Sequence, residues 1–104
     1  MIDANQTLNQ LAAAPNGANR LIAMIGAKNF VKSDTENFVG FRFMRGAANK
    51  ANFVRITLNA MDTYDVEFIK IHGINIKTIS THHGIYDDML YNLFTSETGL
   101  ALKF

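Results

Sequence analysis

The sequence predicts an α+β fold: an antiparallel β-meander of about five or six strands, with a C-terminal helix packed on its apolar face and a short N-terminal helix. Three observations predict it. Between Arg20 and His82, short β-branched and aromatic runs alternate with clusters of Gly, Asn and Asp, the spacing of successive hairpins. Within those runs apolar residues recur with period two, so one face of the sheet is apolar. Beyond residue 83 the apolar period lengthens to that of a helix. A chain of 104 residues, 48% hydrophobic, suits one domain over 1–104 with its own core. Its parts are a short helix and loop at 1–19, the antiparallel sheet at 20–82 and the C-terminal helix at 84–98.

The elements follow in order. "DANQTLNQLAAA" reads as a helix that Asp3, Asn5 or Thr7 can cap, with Leu8, Leu11 and Ala12 at helical spacing. Its apolar face is narrow, so loose packing is expected. "AAAPNGAN" is a loop by its Pro, Asn and Gly. "RLIAMIG" is read as a strand ending at Gly26, and "NFVKS" as the next one. "SDTEN" is a turn. "FVGFRFMR", "FVRITLN", "TYDVEFIKI" and "INIKTIST" are the following strands, separated by "GAANKAN", "AMD" and "HG". If residue 41 faces 56, and 56 faces 66, then Val39, Phe41 and Phe43 lie beside Leu58, Ile56 and Val54. These in turn lie beside Tyr64, Val66 and Phe68. The opposite face then gathers Arg42, Arg55, Thr57, Asp65 and Glu67, with Arg42 beside Arg55 and Arg55 beside Glu67. In "GIYDDMLYNLFTSETG", Ile85, Met89, Leu90, Leu93 and Phe94 form a helical stripe that Gly99 ends. The alternating tail "LALKF" suits a short strand or a segment packed beneath the sheet.

"LIAMIGAKNF", "VRITLNAMDTYDVEFIKI" and "GIYDDML…LFTSETGL" occur in this order over residues 20 to 100. Together they resemble a family of small uncharacterised proteins encoded by bacteriophages and mobile elements, with segments of the form "IAMTGAKNF", "DTYDMEF" and "FTSETGL". This chain departs from that pattern at Ile25, where threonine is expected, at Val66, where methionine is expected, and in its N-terminal helix. The resemblance implies a phage or mobile-element setting. It transfers no catalytic residue and no cofactor.

Composition narrows the function. The chain has no cysteine, which removes disulfides, thiolate metal sites and cysteine nucleophiles, and leans towards a cytoplasmic location, which the resemblance implies is that of a host bacterial cell. No apolar run is long enough to span a bilayer, and the N-terminus carries no basic stretch of the secretory kind. A net charge of +1 sets up no strong overall field towards nucleic acid or membrane.

Four stretches invite a chemical reading. "FRFMRGAANKANFVRI" interleaves Arg42, Arg45, Lys50 and Arg55 with Phe41, Phe43 and Phe53. That combination suits a sheet that stacks bases and holds phosphates. The expected register turns Phe41 and Phe43 inward, leaving Phe38 and Phe53 as outward platforms. "IGAKNF" lacks the second glycine and the Lys-Ser/Thr pair of a phosphate loop, and reads as a hairpin turn with Gly26 and Asn29 at special backbone positions. Asp65 and Glu67 share a strand face, but with Arg55 opposite they read as a salt-bridged surface rather than a catalytic pair. "THHGIYDD" reads as the junction of strand and helix. His82 and His83 diverge, Gly84 or His83 enters the helix, and Asp87 and Asp88 complement its dipole. His82 beside Asp62 is the one ligand pair this stretch allows.

The leading expectation is therefore a non-enzymatic accessory protein that binds a macromolecule, either a protein partner or itself as a homo-oligomer. The alternative is a sheet-based single-stranded nucleic-acid binder using Arg42, Arg45, Lys50 and Arg55. A small metal-dependent hydrolase is the third reading. No metal site and no catalytic residue is assigned.

Overall fold

The computed structural model describes residues 1–102. Two helices, α1 (Ala4–Ala12) and α2 (Gly17–Ile25), precede five strands: β1 (Lys28–Ser33), β2 (Phe38–Arg42), β3 (Phe53–Leu58), β4 (Tyr64–His72) and β5 (Asn75–Ile85). A 3₁₀ turn (Asp87–Met89) leads into α3 (Leu90–Thr98). The strands form one antiparallel sheet in the order β1-β2-β3-β4-β5, so the meander and the α+β class expected from the sequence are observed.

The apolar period explains the core. Val39, Phe41, Val54, Ile56, Val66 and Phe68 are all buried on one sheet face. Helix α3 lies over them, and its Phe94 ring stands 6.5, 5.5 and 6.0 Å from Phe41, Phe43 and Phe68. Ile56↔Val66, Val54↔Phe68 and Leu58↔Tyr64 pair as expected. The β2–β3 register differs from expectation by two residues: Phe41 faces Val54 and Val39 faces Ile56. A shift of two keeps every side chain on its face, so the hydrophobic pattern alone does not distinguish the two registers. The shift does change the outer face. Arg55 stands opposite Gly40 rather than beside Arg42, and Arg42 stands opposite Phe53.

The N-terminal third departs most from expectation. "RLIAMI" is not a strand but the body of α2. Leu21 and Ile25 are fully buried, while Ile22 is 49% exposed and Ala23 also faces water, which is the helical period. Ala, Leu, Met and Arg favour a helix. Gly26, at φ +67°, ends it, with its N–H donating to the Ile22 carbonyl at 3.1 Å. Asn29 also has positive φ, but it lies within β1, where the register with β2 shifts, and not in a hairpin turn. Helix α1 is capped by Asp3, whose Oδ1 accepts from the Gln6 N–H at 3.0 Å. Its face is better packed than its narrowness implied. Thr7, Leu8, Leu11 and Ala12 are all buried, and Tyr64 Oη lies 3.2 Å from Thr7 Oγ1 and donates to Gln10 Oε1 at 2.9 Å. Gly17 lets α2 cross α1 closely: a Cβ there would fall 2.3 Å from the Leu8 carbonyl oxygen.

Strand β5 runs on to Ile85, so His82, His83 and Gly84 belong to the strand and not to the start of a helix at 84. Gly84, at φ +68°, sits in the register shift between Val66↔His82 and Tyr64↔Ile85. Of the tail "LALKF", Leu100 and Leu102 are buried in the core without forming a strand, and Lys103 and Phe104 lie outside the described residues.

Candidate nucleic-acid interface

The register sorts the charges by sheet end. Lys28, Arg42, Phe53, Ile69 and Thr78 form one cross-strand row near one end of the strands. Beyond that row lie the β2–β3 connection, carrying Arg45 and Lys50, and the β4–β5 hairpin, where Lys70 stands opposite Lys77. The other end carries the 34–37 turn, the 59–63 turn and the 3₁₀ segment, with Asp34, Glu36, Asp62, Asp65, Asp87 and Asp88. The net charge of +1 conceals this separation.

Ion pairing sharpens it. Lys32 meets Asp34 at 3.0 Å, and Arg55 meets Glu36 at 3.1 Å and Glu67 at 3.9 Å. Among the described residues, no ion pair joins Lys28, Arg42, Arg45, Lys50, Lys70 or Lys77 to a carboxylate. Like charges directly opposite on neighbouring strands repel, so the Lys70/Lys77 pair costs the folded state rather than supporting it.

The residues expected at this surface divide in two. Arg42, Arg45 and Lys50 come to the same end. Arg55 does not: its guanidinium carbon lies 4.1 Å from the centroid of the Phe38 ring, and its charge is engaged by the two glutamates. Phe38 is thereby covered on one face. Phe53 lies over Gly40, where a Cβ would come within 2.8 Å of its ring. Stacking platforms on the outer face are thus fewer than the aromatic content suggests, and Phe53 beside Arg42 is the better placed. Lys28, Lys70 and Lys77 were not singled out from the sequence. The signal for two of them was present: Lys70 and Lys77 are equidistant from the "GI" pair at 73–74, and a two-residue hairpin turn there makes them neighbours.

The stretch "THHGIYDD" resolves differently. His82 faces inward and away from Asp62. Its Nε2 lies 2.7 Å from Glu97 Oε1, the same oxygen that accepts from Ser80 Oγ–H at 2.5 Å. The bonds from Ser80 and His82 hold the Glu97 carboxyl below its ordinary value. Serine and histidine both bond the carboxylate, and among the described residues no hydrogen bond joins them to each other. The carboxylate ties α3 to β5. His83 points to the opposite face, with Nδ1 3.2 Å from Asp65 Oδ1. Partial burial pushes the Asp65 carboxyl up, but the bonds from Asn59, His83 and the Gly84 backbone, with the His83 charge, outweigh it and lower it. Asp87 and Asp88 sit in the 3₁₀ turn before α3, which starts at Leu90 and not at 84, so they precede that helix instead of lying in its first turn.

Among the described residues, no group of three His, Asp or Glu side chains is placed to hold a metal ion, and no helix is long and apolar enough to cross a membrane. Comparison with protein-family models, with curated proteins and with solved structures returned no match.

Proposed function

We propose that this chain is a non-enzymatic binding protein whose working surface is the basic end of its sheet, and that its partner is nucleic acid. The observation that supports this most is the set of six cations gathered at one end, none of them ion-paired to a carboxylate among the described residues. A fold spends charge–charge repulsion there without internal compensation, and a polyanion supplies the compensation. The expectation of a protein partner rested on the small net charge and on the apolar composition, and the separation of charge makes the first of these a poor guide. The Ser80–Glu97–His82 arrangement favours a non-catalytic reading for the "THHGIYDD" stretch.

A second copy of the chain is the next reading, favoured by the same separation: the basic end of one copy fits the acidic end of another, head to tail. The phage or mobile-element setting implied by the resemblance, and a cytoplasmic place in the host cell, belong to this proposal too. The genes beside this one test them.

The test is titration of labelled single-stranded and duplex oligonucleotides, followed by fluorescence anisotropy at rising salt. Binding is expected at low salt and should weaken steeply as salt rises, the slope falling by about 0.7 to 0.9 for each phosphate contact removed. Arg42→Gln and Arg45→Gln should lower both affinity and slope, while Arg55→Gln should leave the slope unchanged. No binding at low salt, together with a mass that grows with protein concentration, would transfer the surface to self-association.

A further inference from the structure

Strands β4 and β5 run past their neighbour. Pairing of β3 with β4 ends at Phe53↔Ile69, whereas β4 and β5 continue through Lys70↔Lys77, Ile71↔Ile76 and His72↔Asn75. The Asn52 side chain braces the root of this ribbon: its Nδ2 donates to the Ile71 carbonyl and its Oδ1 accepts from the Ile71 N–H, both at 2.8 Å. Gly73, at φ +62°, takes the first central position of the two-residue turn. The second central position is Ile74, which is 98% exposed, and Ile76 nearby is 71% exposed. A turn position open to water gains nothing from an apolar side chain, so the fold does not account for Ile74. The ribbon is two-faced by strand alternation: Lys70, His72, Asn75 and Lys77 on one side, Ile71 and Ile76 on the other.

We propose that this ribbon is a duplex-binding arm. Lys70 and Lys77 hold the phosphate backbone, and Ile74 inserts between adjacent base pairs from the minor groove, opening the step and kinking the duplex. This rests on the nucleic-acid reading above and narrows it to a duplex. Apolar wedges of this kind exchange exposure to water for contact with base faces. The unstacking cost is offset when the bend brings phosphates onto further cations, here Arg42, Arg45 and Lys50 at the same end. A single strand would be better served by an aromatic tip, since isoleucine has no π face on which a base can stack. Pairing of two ribbons through the side that carries Lys70 and Lys77 would set these lysines against their own copies, which disfavours a second copy as occupant of that side.

The experiment uses the full chain and a short duplex carrying a dye at each end, read by energy transfer. The wild-type protein should bring the ends together by a bend of about 20–90°. Ile74→Ser, at a position with no packing role, should fold as wild type does and lose the bend on duplex that it still binds at low salt. The double change Lys70→Gln, Lys77→Gln should lower the salt slope by about 1.8. A duplex bound straight by wild type, or bent equally by Ile74→Ser, overturns the wedge and leaves nucleic-acid binding standing. Failure of both duplex and single strand to bind at low salt overturns the nucleic-acid reading itself. A dimer that becomes monomeric in Ile74→Ser assigns the tip to a second copy and overturns the arm.

Discussion

At the scale of single residues, Glu97 shows how one carboxylate joins two elements. It stands in the last turn of α3 and accepts from Ser80 and His82 of β5 through one oxygen. Its folded carboxyl is held below the ordinary value of 4.5, so its contribution to stability is present above that value and lost as pH falls through the lowered one. Asp65 works in the same direction from an ordinary value of 3.8. The melting temperature should therefore change little on this account from neutral pH to about 5 and then fall, and Glu97→Gln should fall less steeply. Differential scanning calorimetry across pH checks this; an unchanged acid limb in Glu97→Gln would contradict it. At neutral pH the same substitution should cost about 1 kcal/mol, reduced by partial exposure. None of this was legible in the sequence. Glu97 is fifteen residues from His82, and periodicity fixes which face of a helix a residue occupies, not which oxygen on another element it meets.

At the scale of elements, the sheet was readable and the second helix was not. In β3 and in β4 as far as Phe68 alternation is clean, Asn37 and Asp62 take positive φ in the turns, and the β3–β4 register follows directly from the pattern. "RLIAMI" misleads because Leu21 and Ile25 fall on one face at either period. Ala23 and Met24 separate the two readings: Ala23 is inward in a strand and outward in the helix, and Met24 is outward in a strand and half-buried against the core in the helix. Ala23→Glu should accordingly change stability by less than about 0.5 kcal/mol in urea denaturation, where a strand would lose several times that. Gly17 carries the opposite expectation. Its would-be Cβ meets the backbone of Leu8, which cannot swing aside, so Gly17→Ala should cost about 1–3 kcal/mol by forcing the α1–α2 crossing apart. Loss of the 41:56 register was a subtler matter. The two-residue shift preserves the core but moves Arg55 away from Arg42, and with it the expected grouping of the basic residues.

At the scale of the whole molecule, the separation of charge organises the account. Its components were visible in the sequence as scattered lysines, arginines and aspartates, yet the arrangement depends on which strand ends meet, and that emerges only from the complete meander. The most direct measurement is a two-dimensional amide NMR titration of the full chain with a short DNA duplex at low salt. The account predicts that perturbed amides will cluster at residues 28, 42–52 and 69–78, and that residues 34–37, 59–65 and 86–89 will stay in place. Perturbations centred on the acidic end, or none at all at saturating duplex, would contradict it.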